Sequence, residues 1–184
     1  MFNGNHKSTY LESDTTGPLN CYGRSKLKGE QFLIDSGAPY YLFRVQWLYG
    51  EHGNHFVKTI LNLAETKSEL NIVSDQLGSP TWTKDLASCI LNLLENNAAF
   101  GTYHLASQGY TSWYEFAVFF LKLNGSKCTV SPQETQSSDR AAKRPLNGRL
   151  NCNKYLQLNL RQPLSWKDGI KNYLKEIHQH DVVD

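Results

Sequence analysis

Residues 18–45 read PLNCYGRSKLKGEQFLIDSGAPYYLFRV, and this stretch decides the fold class. Apolar residues at helical intervals follow Pro18 and Asn20, which predicts a helix that begins near Asn20 and ends near Ser36. After a Gly-Ala-Pro break, YYLFRV is dense in aromatic and β-branched residues and shows little alternation. Such a run is typical of a strand in a parallel sheet that is covered on both faces, so we expect an α/β fold.

The rest of the chain continues this alternation of helices and strands. Periodicity predicts strands at about 70–73, 102–106 and 128–131 and helices at about 55–66, 83–96, 111–123, 153–156 and 166–177. Thr83 is expected to cap the second of these helices. The stretches WLYGEHGNH and SDQLGSPTW are interpreted as loops, and a polar, turn-forming stretch over 131–149 has the length of a functional or mobile loop.

The composition describes a globular chain of 184 residues, 40% hydrophobic and 12% aromatic, with a formal net charge of +2. That charge is too weak to favour nucleic acid or an anionic membrane as a partner. No apolar run approaches the roughly 20 residues of a membrane span, and the N-terminus has no signal-peptide pattern. Cys21, Cys89, Cys128 and Cys152 form no C-x-x-C pair, so the sequence predicts a cytoplasmic protein with reduced thiols.

Tyr22 and Lys26 form the first pattern that carries chemistry. Positions i and i+4 of a helix share a face, so the ammonium lies near the phenol, favours the phenolate and makes the tyrosine a proton donor for a carbonyl. A Y-x-x-x-K spacing is also common in solvated helices, but here it opens a helix that leads into an apolar strand. His52 and His55 lack the partners of a metal site, so we expect no metal.

Several blocks resemble the dTDP-4-dehydrorhamnose reductase family, in the nucleotide-sugar branch of the extended short-chain dehydrogenase/reductase superfamily. They are FNG at 2–4, Glu12 with Asp14, PLNCYGRSKLKGE at 18–30, FRVQWLYG at 43–50, GNHFVKT at 53–59, DQLGSPT at 75–81, GTYHLA at 101–106 and RPLNGRLN at 144–151. Their order and spacing follow the family from the middle of its catalytic domain to its C-terminus. Gln46 is a departure, since the family more often has Ser or Thr before the tryptophan.

The resemblance implies a partial NAD(P)-binding Rossmann-like fold with a small C-terminal substrate-binding α/β domain. Residues 1–50 would be the C-terminal remainder of the Rossmann-type catalytic domain. Residues 51–184 would be mainly the substrate-binding domain, with a strand near 101–106 that returns to the Rossmann sheet.

The resemblance also implies a reaction, the reduction of the C4 keto group of dTDP-4-dehydro-L-rhamnose to dTDP-L-rhamnose with NADPH or NADH. Tyr22 would protonate the keto oxygen, and Lys26 would assist it and hold the nicotinamide ribose. The residues implied to bind the dTDP-sugar are Trp47, Asn54, Lys58, Gln76, Gly78, Pro80, Thr81, Arg144 and Arg149. Each also has a plain structural interpretation as a packing residue, a loop residue or a solvated cation, although guanidinium forks suit a diphosphate.

The glycine-rich G-x-x-G-x-x-G turn that seats the cofactor pyrophosphate in this superfamily does not occur in the sequence. At about 30 residues per βαβ unit, on the order of a hundred family residues would precede Phe2. We therefore expect strands without neighbours, and a chain that aggregates, self-associates or binds a complementary N-terminal piece. The resemblance alone implies a homodimer. Three alternatives stay open: a truncated, inactive reductase, a non-catalytic nucleotide-sugar-binding or regulatory module, and one half of a split reductase.

Overall fold

A computed structural model describes residues 1–5, 8–135 and 142–180 of the chain. Helix α1 spans Cys21–Asp35 and strand β1 spans Tyr41–Arg44, which confirms the first predicted helix and strand. Helix α1 begins where predicted because the side chain of Asn20 accepts a hydrogen bond from the backbone N–H of Gly23 at 2.8 Å. The helix therefore has a fixed start, one residue before the Y-x-x-x-K motif.

The remaining elements confirm the predicted α/β order. The further helices are α2 Phe56–Thr66, α3 Thr83–Glu95, α4 Trp113–Leu123, α5 Asn153–Leu156 and α6 Trp166–His180. The further strands are β2 Leu48–Tyr49, β3 Glu69–Val73, β4 Leu77–Gly78, β5 Thr81–Trp82, β6 Gly101–His104, β7 Thr111–Ser112 and β8 Thr129–Gln133. The two-residue strands β2, β4 and β5 lie inside stretches predicted as loops, because pieces this short leave no periodicity in a sequence.

The strands of the described residues pair in twos. Strand β1 runs parallel to β6 with Tyr41 opposite Gly101 and Arg44 opposite His104, and β3 runs parallel to β8. The expectation that β1 is buried on both faces is wrong for this chain, since all four of its residues are only half-buried. Within the described part of the chain, β6 is the only strand that pairs with β1.

Three apolar clusters hold the elements together. The largest joins α2, α4 and α6 over β3, with Val57, Phe116, Phe120 and Ile170 at its centre. A second packs α3 and α5 against β6. The third is small and consists of Phe2, Tyr10 and Leu150, so it anchors the N-terminal segment beside β1 and β6.

Two local predictions need correction or restriction. Thr83 does not cap α3: it is the first helical residue, and Trp82 before it makes no capping hydrogen bond. The polar stretch predicted as a loop over 131–149 begins as part of β8, and residues 136–141 of it lie outside the described residues. After that gap the chain runs along β4, where the N–H of Leu77 donates to the carbonyl of Leu146 at 2.7 Å. None of the described helices combines the length and apolarity that a membrane crossing needs.

Candidate functional site

The first two turns of α1 present the predicted tyrosine and lysine on one face. The Lys26 Nζ lies 5.5 Å from the centroid of the Tyr22 ring, so the ammonium sits over the aromatic face. The Tyr22 residue is 72% exposed. The phenol hydroxyl is thus open to a ligand, with a cation close by.

A cleft lies beside this helix face and consists of three cavities that share lining residues. The largest has a volume of about 840 Å³, and Tyr22, Trp47, Gln76, Trp113 and Arg144 are among its lining residues. A second cavity of about 480 Å³ includes Lys26, Gln46, Glu30 and Arg44, and shares Tyr22 and Trp47 with the first. A third of about 400 Å³ includes Phe56 and Asn71, and shares Gln76, Trp113 and Arg144 with the first. One cleft therefore contains the tyrosine–lysine pair and an exposed arginine.

Trp47 is held in the cleft by close contacts of its indole with Trp113 and Gly78. It stacks on Trp113, with ring centroids 3.7 Å apart and planes 15° from parallel. A Cβ added to Gly78 would stand 2.6 Å from Trp47 Cε2, so only glycine leaves room there. Trp47 also has a backbone φ of 49°, the left-handed region that disfavours bulky side chains.

Gln76 and Arg144 line both the largest and the third of the cavities. Gln76 is buried, and its Nε2 donates to Thr135 Oγ1 at 2.8 Å. Arg144 is exposed and follows Lys143, whose carbonyl accepts a hydrogen bond of 2.8 Å from Asn20 Nδ2. The cap residue of α1 thus ties the segment with Arg144 to the helix with Tyr22.

The structure brings only part of the predicted set together. Asn54 and Lys58 are exposed near the start of α2 and are not among the residues that line the three cavities. Pro80 and Thr81 are buried, and the Thr81 hydroxyl donates to the carbonyl of Ser79 at 3.0 Å. Any role of these four residues in substrate binding stays a prediction.

Gly78 and Arg149 are not among the residues that line the three cavities. Gly78 supports the Trp47 indole, as its missing Cβ shows. Arg149 is half-buried, and its Nε donates to Asn147 Oδ1 at 2.9 Å while its guanidinium lies 5.9 Å from the Tyr110 ring centroid. Its guanidinium is therefore already engaged within the fold, in contrast to exposed Arg144.

Trp113 lines the cleft although no sequence pattern predicted it as a site residue. Trp113 is the first residue of α4, directly after a capping box in which Ser112 accepts from Glu115 N and Glu115 accepts from Ser112 N. The S-x-x-E spacing at 112–115 predicts the start of α4, but it carries no signal for the stack with Trp47.

Ion pairing and burial set the electrostatics behind the cleft. Arg44 Nη2 lies 2.9 Å from Glu30 Oε2, and both side chains are largely buried. His104 is fully buried, its Nδ1 lies 3.0 Å from the carbonyl oxygen of Tyr10, and burial lowers its pKa. A neutral imidazole satisfies this geometry, because Nδ1–H donates to Tyr10 and Nε2, 3.4 Å from Arg44 Nη1, accepts. His104 is thus a buried histidine with its hydrogen bonds satisfied within the fold.

The fold is shared with solved reductases that act on dTDP-sugars. A dTDP-4-dehydrorhamnose reductase from Clostridium acetobutylicum superposes with a TM-score of 0.89 at 38% identity, over 96% of this chain and 62% of that one. The same reductase from Bacillus anthracis, solved in complex with NADP, gives a TM-score of 0.89 at 36% identity, over 95% and 62%. The chain thus has the α/β, Rossmann-type fold of this class of oxidoreductase.

Sequence comparison gives the same family. The RmlD substrate binding domain matches residues 1–179. The dTDP-4-dehydrorhamnose reductase of Escherichia coli is 36% identical over 194 residues, which cover 96% of this chain and 62% of that protein. The chain belongs to the RmlD substrate binding domain family, and it spans about 62% of the length of such relatives.

Proposed function

We propose that this chain carries the sugar-nucleotide site and the general acid of an NADPH-dependent reductase of dTDP-4-dehydro-L-rhamnose. The observation that carries the proposal is the single cleft that contains Tyr22, Lys26, Trp47 and Arg144. The family match and the names of the relatives support the substrate class.

The residues of the cleft divide the work by their chemistry. The exposed Arg144 guanidinium would pair with the diphosphate, because its planar fork matches phosphate oxygens. The Trp47–Trp113 stack offers a flat apolar face against which a sugar or base packs. The Tyr22 hydroxyl would donate its proton to the C4 oxygen, and the Lys26 ammonium would stabilise the phenolate left behind.

The cofactor fits this chain in part. Tyr22 and Lys26 are open to solvent at the rim of the cleft and would hold the nicotinamide end, which supplies a hydride when bound. The 184 residues contain no G-x-x-G-x-x-G turn that would hold the pyrophosphate. We therefore propose that a complementary piece of protein supplies that part of the site, and that the chain alone does not turn over.

An uncovered surface supports this second part of the proposal. Phe32 on α1 is 64% exposed and Ile34 is 43% exposed, although both are large apolar side chains. Strand β1, which the Arg44–Glu30 ion pair joins to α1, is half-buried and pairs only with β6 in the described part of the chain. A complementary N-terminal piece would cover this face and extend the sheet from β1, whereas a second copy of the chain would give a homodimer. The parallel β1–β6 pair supports the part of the proposal in which the strand near 101–106 returns to the sheet of residues 1–50.

The test is a pair of titrations of the purified chain, one with dTDP-L-rhamnose and one with NADPH. Calorimetry measures the binding in each. We expect saturable binding of dTDP-L-rhamnose and none of NADPH. Arg144→Gln should lower the affinity for dTDP-L-rhamnose by about tenfold, which is the scale of one charge-assisted contact. Lys127→Gln, which removes an exposed cation that does not line the cleft, should leave the affinity unchanged. Failure of the chain to bind dTDP-L-rhamnose would overturn the proposal, and NADPH binding would overturn the need for a complementary piece.

A further inference from the structure

The side chain of Gln46 is an unsatisfied polar group at the cleft. Gln46 follows the last residue of β1 by two positions and lines the cavity that contains Tyr22 and Lys26. Its Nε2 and Oε1 are both buried, and neither has a hydrogen-bond partner among the described residues. A buried carboxamide without partners lowers the stability of a fold, and native proteins leave few such groups.

Two segments of backbone come unusually close to this carboxamide. A Cβ added to Gly78 would stand 2.9 Å from Gln46 Oε1, and one added to Gly148 would stand 3.4 Å from the same atom. Gly78 belongs to β4, and Gly148 lies in the segment that runs along it. Both positions lack a side chain where the carboxamide lies, so the fold makes room for this group without bonding to it.

The next residue has an independent strain. Trp47 has a backbone φ of 49°, which disfavours bulky side chains. Two unfavourable features thus occur in consecutive residues at the wall of one cavity. Strained backbone and unsatisfied polar groups concentrate at ligand sites, where they are retained because they serve binding.

We infer that Gln46 is a substrate-contacting specificity residue whose carboxamide hydrogen-bonds a hydroxyl group of the bound sugar. This inference rests on the proposed function and adds to it the residue that recognises the sugar rather than the nucleotide. A carboxamide offers both a donor and an acceptor, as does a hydroxyl. The Gln46 carboxamide is buried before the ligand binds, so a sugar hydroxyl can bond to it without displacing water from it. This contact requires the Gln46 side chain to rotate toward the cavity.

The test separates the sugar contact from nucleotide binding. Gln46→Met keeps the length and lack of branching of the side chain and removes both polar atoms. We expect it to weaken dTDP-L-rhamnose by about tenfold, because one neutral hydrogen bond has this effect, and to leave the affinity for dTDP within about twofold. Gln157→Met, at an exposed position away from the cleft, is the matched control and should change neither affinity.

Thermal unfolding of the ligand-free chain gives a second measurement. Replacing an unsatisfied carboxamide by an apolar side chain should raise the melting temperature by about 2 °C or more. A fall in melting temperature would show that the carboxamide stabilises the fold and would overturn the assignment. Gln46→Leu is the second variant and serves if Gln46→Met does not fold. It should show the same loss of affinity for dTDP-L-rhamnose and the same rise in melting temperature.

The outcomes distinguish this inference from the proposed function. If Gln46→Met loses equal affinity for dTDP and dTDP-L-rhamnose, or loses affinity for neither, the role of Gln46 is overturned while the proposed function stands. If the unsubstituted chain binds neither ligand, the proposed function falls and the assignment of Gln46 falls with it.

Discussion

The Arg44 guanidinium and the Glu30 carboxylate form an ion pair that joins β1 to α1. Arg44 Nη2 donates to Glu30 Oε2 at 2.9 Å, and Arg44 Nε donates to Oε1 at 3.1 Å. Glu30 lies eight residues after Tyr22 on α1, and Arg44 ends the strand that leads to Trp47. The pair therefore fixes the distance between the candidate general acid and the aromatic wall of the cleft.

Breaking this pair should cost much of the stability of the chain. Glu30→Ala leaves the Arg44 guanidinium largely buried without its carboxylate, because the Arg44 side chain is only 12% exposed. We expect the free energy of unfolding, measured by urea denaturation, to fall by about 3 kcal/mol, the lower end of values for a buried pair that loses one partner.

The Lys84–Glu176 pair provides the control. The Lys84 side chain is 64% exposed, so water screens the pair. Glu176→Ala should change the free energy of unfolding by less than about 1 kcal/mol. Similar losses for the two variants would contradict the assignment of the Glu30–Arg44 pair as a tether.

Stability should depend on pH through His104. Burial lowers the pKa of His104 from its ordinary value of 6.5, Arg44 lowers it further and Glu12 opposes the shift. As the pH falls through 6.5, the unfolded chain therefore takes up a proton before the folded chain does. The contribution of His104 to the free energy of unfolding is complete above pH 6.5 and is lost as the pH falls toward the lowered pKa of the folded state. The free energy of unfolding changes by at most about 1.4 kcal/mol per pH unit.

Urea denaturation between pH 5 and 7.5 measures this slope. Burial also lowers the pKa of His55, so the unsubstituted chain should show both contributions. His104→Gln should reduce the slope and lower the stability at every pH, since the hydrogen bond to the Tyr10 carbonyl is disturbed. An unsubstituted chain whose stability does not change over this range would refute the prediction.

Local patterns in the sequence were enough to predict most of the fold. The apolar spacing and Asn20 predict α1, and aromatic and β-branched content predicts β1, because these signals depend on neighbours along the chain. The burial of β1 depends on what packs against it, and here the pattern misled. The Trp47–Trp113 stack joins residues 66 positions apart, and the unsatisfied Gln46 depends on glycines in two other segments. Neither relationship leaves a local signal.

Tyr22→Phe should separate binding from chemistry. The phenol is exposed, so removal of its hydroxyl should leave the melting temperature and the affinity for dTDP-L-rhamnose nearly unchanged. Reduction of dTDP-4-dehydro-L-rhamnose, followed as NADPH oxidation with the complementary N-terminal piece present, should slow by about 100-fold to 10,000-fold. A Tyr22→Phe protein that turns over at the unsubstituted rate would exclude Tyr22 as the general acid.

Gly78→Ala should disturb the aromatic wall of the cleft. The added methyl group would stand 2.6 Å from Trp47 Cε2 and 2.9 Å from Gln46 Oε1, so the indole has to move off its stack with Trp113. Overpacking of this kind typically costs about 1–3 kcal/mol of unfolding free energy. Tryptophan fluorescence should shift as the stack opens, and the affinity for dTDP-L-rhamnose should fall.

Gly29→Ala is the matched control because it adds the same methyl group to open space. Nothing lies within 4 Å of a Cβ at Gly29, which is inside α1. Alanine has a higher helix propensity than glycine, so the free energy of unfolding of this variant should rise by about 0.5–1 kcal/mol. Its tryptophan fluorescence and its affinity for dTDP-L-rhamnose should stay unchanged. A Gly78→Ala chain that matches Gly29→Ala in stability and affinity would show that the indole of Trp47 relocates at no cost, and that the close approach of Gly78 does not shape the cleft.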